Sequence, residues 1–196
     1  LPSFPDFPSV VTLSGTDINQ DWDHIDRRAV VERTIVMADV LTTYNPSLSE
    51  PVRKRLPGVG AEIQIIPKGV SLGEASFDFE MPKGFLLFFL PGGIRPVKNN
   101  LFAFEALKEI DSPNFRLVYA GPILDREYGE ELERRVAEME WVSHIEKIPQ
   151  EAMPSAYRAS HVVLNTSRSE GLSNALMEAM ACGGPEKTSS IPMVRA

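Results

Sequence analysis

A single cysteine, Cys182, stands in 196 residues, which excludes an internal disulfide and any zinc site built from cysteines. That fits a reducing, cytoplasmic setting. Histidine is scarce as well: His24, His144 and His161 are scattered without ligand spacing and read as structural, so no metal site is expected. There is no excess of positive charge. Twenty Lys and Arg stand against 27 Asp and Glu, a formal net charge of −7. A nucleic-acid surface needs a basic patch, and Arg53-Lys54-Arg55 is too short to make one; it reads as a solvated helix face. No apolar run approaches the roughly 18 residues that cross a bilayer. G-x-G-x-x-G and Walker sequences are missing, which weakens dehydrogenase and NTPase readings. The chain opens at Leu1 without an initiator Met or a basic start, so it reads as a fragment and leaves a signal peptide on a longer product open.

What is present is alternation. Residues 9–13 (SVVTL), 40–44 and 61–66 (AEIQII) read as strands, with a helix at about 25–38 between the first two. Asn45-Pro46-Ser47 terminates the second strand, and Ser47 is placed to cap the helix that follows. Residues 71–84 lack periodicity and look like a surface connection. Residues 85–90 (FLLFFL) are apolar without a break, the pattern of a parallel strand buried on both faces. Helix at about 99–110, strand 115–120, helix 127–139, strand 142–148 and helix 150–159 follow in turn. Regular alternation of this kind predicts a doubly wound α/β sheet.

The most informative stretch is 165–183, NTSRSEGLSNALMEAMACG. It follows a short apolar run (161–164) and passes through a polar loop into a helix. Leu172, Ala175, Leu176, Ala179 and Met180 make the apolar stripe, and Ser173 or Asn174 is the N-cap. Strand, tight loop and helix N-terminus suit a phosphate. Glu170 and Glu178 stand eight residues apart in the setting S-x-S-E-G-x-S-x-x-x-x-E-A-M-A-C-G. That setting resembles the group 1 (family 4) glycosyltransferases, retaining enzymes of the GT-B fold.

The resemblance implies roles residue by residue. Glu178, taken alone, reads as a helix carboxylate facing a surface lysine; the family assigns it to the ribose diol of a nucleotide-sugar donor. Glu170, which could instead cap the following helix, would lie by the transferred hexose and stabilise positive charge at its anomeric carbon. Gly171, Leu172, Ser173 and Asn174 would offer backbone N–H groups to sugar hydroxyls and the distal phosphate. Arg95 and Lys98, after the turn Pro91-Gly92-Gly93, would neutralise a diphosphate leaving group without a metal. The family places its Arg directly after the first Gly, five residues before its Lys; here that place is Gly93, and Arg95 must reach the same volume from two residues later. Gly121, ending a strand, would flank the nucleobase. Ser14 stands where some relatives have a His and is assigned nothing. Cys182 reads as packed in its helix.

The fold class expected is therefore α/β, GT-B: residues 1–66 a remnant of the acceptor-side Rossmann-like domain, 67–183 the donor-binding one, and 184–196, polar and broken by proline, a disordered tail. The function implied is transfer of a hexose from a nucleoside diphosphate sugar to a hydroxyl acceptor with retention, with no cofactor. Because the active site of this fold lies between two domains, the alternative is a non-catalytic fragment that at most binds nucleotide sugar. A sugar-nucleotide epimerase of the same fold is the third reading.

Overall fold

The computed structural model describes residues 7–110, 114–170 and 172–183, and the backbone of 188–190. The chain forms two compact units. Among the described residues, one runs to Gly69 and takes in Glu170 and Leu172; the other holds those from Val70 to Ser169 and from Ser173 onward.

In the first unit, β1 (Val10–Leu13), β2 (Val40–Thr43) and β3 (Glu62–Ile65) form a parallel sheet in that order. β-Branched residues dominate these strands, as a pleated, half-covered surface favours. A π-helical turn at Asp17–Asp21 and helices α1 (Arg28–Met37) and α2 (Pro46–Arg55) connect them. Trp22, Ile35, Leu41 and Val52 are fully buried between these elements. The cap of α2 is Asn45 rather than Ser47: Asn45 Oδ1 accepts from Leu48 N–H at 3.3 Å and from the Ser47 hydroxyl at 2.5 Å. With Pro46 as the first helical residue, the cap falls one place before it.

In the second unit β4 (Leu86–Pro91), β5 (Phe115–Ala120), β6 (Val142–Ile145), β7 (Val162–Asn165) and β8 (Thr188–Ser190) make one sheet, ordered β6-β5-β4-β7-β8. Every pairing is parallel. Helices α3 (Asn100–Leu107) and α4 (Arg126–Glu138) cover one face through Phe104 and Leu132, against Leu90, Leu117 and Tyr119. Helices α5 (Met153–Ala159) and α6 (Asn174–Gly183) cover the other through Ala156, Tyr157 and Ala179, against Leu87, Phe89 and Val163. Burial on both faces is why residues 87–90 show no polar alternation, while Leu86, at the start of β4, is half exposed.

Two further expectations, on residues 71–84 and on Met180, differ from what the structure shows. Residues 71–84 are not a plain surface connection. Ala75 N–H donates to Glu151 O at 3.1 Å, and Phe77 N–H donates to Ser155 Oγ at 3.0 Å. Phe77, Phe79 and Met81 pack on the α5–α6 core, with the Phe79 ring edge-on to Phe89 at 5.3 Å. Their two-residue period was hidden by the charged residues and proline around them. Met180, placed in the apolar stripe of α6, is half exposed; Leu176, Ala179 and Cys182 pack instead. Of the tail 184–196, only 188–190 lie among the described residues, and their backbone forms β8 beside β7, Val163 opposite Thr188. Ladder bonds use backbone groups, so an edge strand needs no apolar run.

Replacing Phe79 by Ala should lower unfolding stability by about 2 kcal/mol, less than the roughly 3–5 kcal/mol of a fully buried phenylalanine because Phe79 keeps some exposure. Urea denaturation checks this; a true surface segment would shift by less than about 0.5 kcal/mol.

Candidate functional site

The strand order reverses at β4. From it the chain steps to β5 and β6 on one side, then returns to β7 and β8 on the other. In open parallel sheets, the crevice outside the carboxyl ends of the two strands flanking such a reversal is where ligands bind. The loops there follow β4 and β7, and they carry the residues singled out from the sequence.

The loop after β4 is shaped by close backbone approach. Gly92 (φ +139°) and Gly121 (φ +150°) both adopt a conformation that side chains disfavour. A Cβ on Gly121 would stand 2.3 Å from Gly92 O, so this glycine holds the loop after β5 against the loop after β4. Gly92 N–H donates to Ala120 O and Ile94 N–H to Pro122 O, each at 2.8 Å. His144 Nε2 lies 2.8 Å from Gly121 O; a carbonyl only accepts, so this nitrogen carries the proton and braces the turn.

Next come a 3₁₀ turn, Pro96–Lys98, and Asn99 in the left-handed region, which together aim the chain into α3. Arg95 is exposed and Lys98 half-buried. The Lys98 stem turns back over the glycine turn, its Cε 4.0 Å from where a Gly92 Cβ would be. Beneath them Asn100 is fully buried; its Oδ1 accepts from Arg95 N–H at 3.4 Å, and its carbonyl accepts from the Tyr119 hydroxyl at 3.1 Å.

The loop after β7 is tied to this one. The buried Thr166 hydroxyl donates to Lys98 O at 2.9 Å, and Arg168 N–H donates to Val97 O at 2.9 Å. Glu170 is half-buried in this loop; Gly171 lies outside the described residues. Of the two candidates for the cap of α6, it is Ser173, whose Oγ accepts from Leu176 N–H at 3.4 Å. Leu172 and Ser173 are half-buried and Asn174 exposed. Thus Arg95 and Lys98 stand at the carboxyl end of β4, and Glu170 and residues 172–174 follow that of the adjacent β7.

Glu178 sits further into α6, on the side facing α5. It is not paired with a lysine among the described contacts. Its Oε2 accepts from the Tyr157 hydroxyl at 3.0 Å and its Oε1 from Gln150 Nε2 at 3.2 Å. Burial, then the neighbouring Glu178 charge, pushes the Tyr157 hydroxyl far above its ordinary range, so it remains a donor. Neither partner was foreseen, because no sequence spacing relates residues 150 and 157 to 178. Burial likewise pushes the Cys182 thiol up, in keeping with a packed rather than reactive side chain. Among the described residues no three His, Cys, Asp or Glu side chains are grouped so as to hold a metal ion, and no helix is long and apolar enough to cross a membrane.

Comparison with known proteins adds to this geometry. The family model described as Glycosyl transferases group 1 matches residues 86–194. Glycosyltransferase 1 domain-containing protein 1 of Xenopus tropicalis is 29% identical over 198 residues, covering 94% of this chain and 57% of that protein. Sucrose-phosphate synthase of Thermosynechococcus elongatus superposes with a TM-score of 0.76 at 20% identity, over 94% of this chain and 50% of that one. HepE of Anabaena, solved in complex with UDP and glucose, gives 0.74 at 16% identity, over 93% and 52%. These solved structures are GT-B glycosyltransferases, and the likeness shows the α/β fold expected from the sequence. The chain spans about half the length of these relatives.

Thr166 tests the tie between the two loops. Thr166→Val keeps the shape but leaves the Lys98 carbonyl without its buried donor, at a cost of about 1–3 kcal/mol. Chemical denaturation should show that loss; an unchanged midpoint would mean the tie carries no weight.

Proposed function

This chain belongs to the group 1 glycosyl transferases, and from that premise we propose that it binds a nucleoside diphosphate sugar at the carboxyl ends of β4 and β7 and passes the hexose to a hydroxyl acceptor with retention. The observation that carries the reading is the fastening of the Arg95–Lys98 loop to Thr166 and Arg168 of the loop after β7, at the point where the strand order reverses. A diphosphate set there meets two cations and the N-terminus of α6, whose dipole favours an anion.

In this reading Glu178 accepts hydroxyl protons from the ribose, and Gly171, Leu172, Ser173 and Asn174 present backbone N–H groups to the sugar and distal phosphate. Glu170 is the catalytic group, its negative charge beside an anomeric carbon that becomes positive as the diphosphate departs. Arg95 and Lys98 meet the charge that builds on the leaving oxygen, and no metal is assigned. The electron pair of the broken C–O bond leaves with the diphosphate, and the acceptor oxygen forms the new bond on the same face, passing its proton to the departing diphosphate oxygen. HepE's complex with UDP and glucose supports a donor of this chemistry.

Calorimetric titration with UDP, GDP and ADP tests the reading. One of them should bind saturably, and Glu178→Ala or Lys98→Ala should weaken it about tenfold or more, as loss of a charged hydrogen bond does. Glu170→Gln should leave that affinity within about threefold and lower hexose transfer about 10²–10³-fold. Saturable binding without transfer or hydrolysis would mark this stretch as a donor-binding module. A folded chain that binds none of the three overturns the assignment.

A further inference from the structure

The two protein donors on Glu178 differ in kind. Tyr157 is 3% exposed, its ring edge-on to Phe89 at 5.8 Å in the core that also holds Leu87, Val163 and Ala179. The hydroxyl therefore cannot swing away from Oε2 without dislodging a packed ring. Gln150 is exposed, stands on the 3₁₀ turn Gln150–Ala152 that leads into α5, and meets Oε1 at a longer 3.2 Å. A carboxylate has about four lone-pair sites, so two donors leave room for two more. The oxygen held by the buried donor faces the protein; the one held by the exposed donor faces outward.

A glutamate side chain has three rotatable bonds, and a site that leaves it loose must order it on binding. From this arrangement we propose that Tyr157 is a positioning residue that fixes the Glu178 carboxylate for a ribose diol, and that Gln150 is a stand-in donor which a ribose hydroxyl displaces from Oε1. The proposal rests on the reading of Glu178 as the ribose ligand. The competing view makes Tyr157–Glu178 a clip between α5 and α6 with no bearing on the ligand. Burial supports the first role in one further respect: the hydroxyl keeps its proton, so Glu178 has this donor at any working pH.

The two views separate on ribose discrimination, which a clip would not set. The full chain is titrated with whichever of UDP, GDP or ADP binds and with its 2′,3′-dideoxy form. Wild type should favour the ribose form by about tenfold or more, and Glu178→Ala should abolish the preference. Tyr157→Phe should reduce it to about threefold or less, leaving affinity for the dideoxy form unchanged. Gln150→Ala, an exposed change that does not threaten folding, should keep the preference and tighten the ribose form about twofold. Full discrimination in Tyr157→Phe while Glu178→Ala has lost it overturns the positioning role and leaves the reading of Glu178 standing. Equal weakening of both ligands by Tyr157→Phe supports the clip and overturns the proposal. A fall in discrimination in Gln150→Ala overturns the stand-in role, whether or not the Tyr157 variant folds. No discrimination in wild type overturns the reading of Glu178 and this proposal together.

Discussion

The backbone carbonyls of Val97 and Lys98 hold the carboxyl ends of β4 and β7 in one place, and the candidate site depends on that. Loops at strand ends are ordinarily the mobile part of a parallel sheet. Here one loop accepts the Thr166 hydroxyl and the Arg168 amide of the other, so the cations and the start of α6 belong to one framework. The framework needs β4 and β7 to be neighbours, which only a reversal of strand order after β6 provides. It also needs the loop after β4 to lie flat, and the Gly92–Gly121 approach imposes this from the opposite side. Sheet order, two positive-φ glycines and one buried threonine thus specify where the candidate side chains begin.

Much of this was legible because it rests on periodicity. The apolar run 85–90, the 3.6-residue patterns of α3 and α4 and the short β-branched runs all became the elements they suggested, within one to three residues at most ends. The motif residues likewise fell in a loop and helix beside β7. Illegible features share one cause: they depend on atoms brought together by folding. Asn45 outcompetes Ser47 as a cap only because Pro46 starts the helix, a choice of one residue that composition cannot make. The packing of Phe77, Phe79 and Met81 shows a strand-like period, yet these residues form no ladder and join α5 through Ser155. Tyr157 reaches Glu178 only because α5 and α6 lie side by side on the same face of the sheet.

Arg95 shows how a departure from a motif can be weighed by geometry. By the motif resemblance the family's arginine position falls at Gly93, and Arg95 stands two residues on. Between them Ile94 is fully buried, its backbone bridged in parallel to Ile123, and Arg95 itself is extended at φ −167°, ψ 158°. In extended chain, side chains alternate between faces, so positions 93 and 95 share the face opposite Ile94. A guanidinium at 95 therefore leaves the chain on the same side as one at 93 would, displaced by one two-residue repeat, about 6.5 Å. The length of an arginine side chain spans much of that offset, and Asn100 steadies the start of its reach by accepting from the Arg95 amide. A side chain at 93 would first have to displace the Leu124 side chain, whose Cδ1 lies 2.4 Å from where its Cβ would be and which, 59% exposed, has room to turn. Taking Arg95 as the phosphate cation therefore asks only for a reach of one repeat along the same face, which the extended backbone at 95 allows.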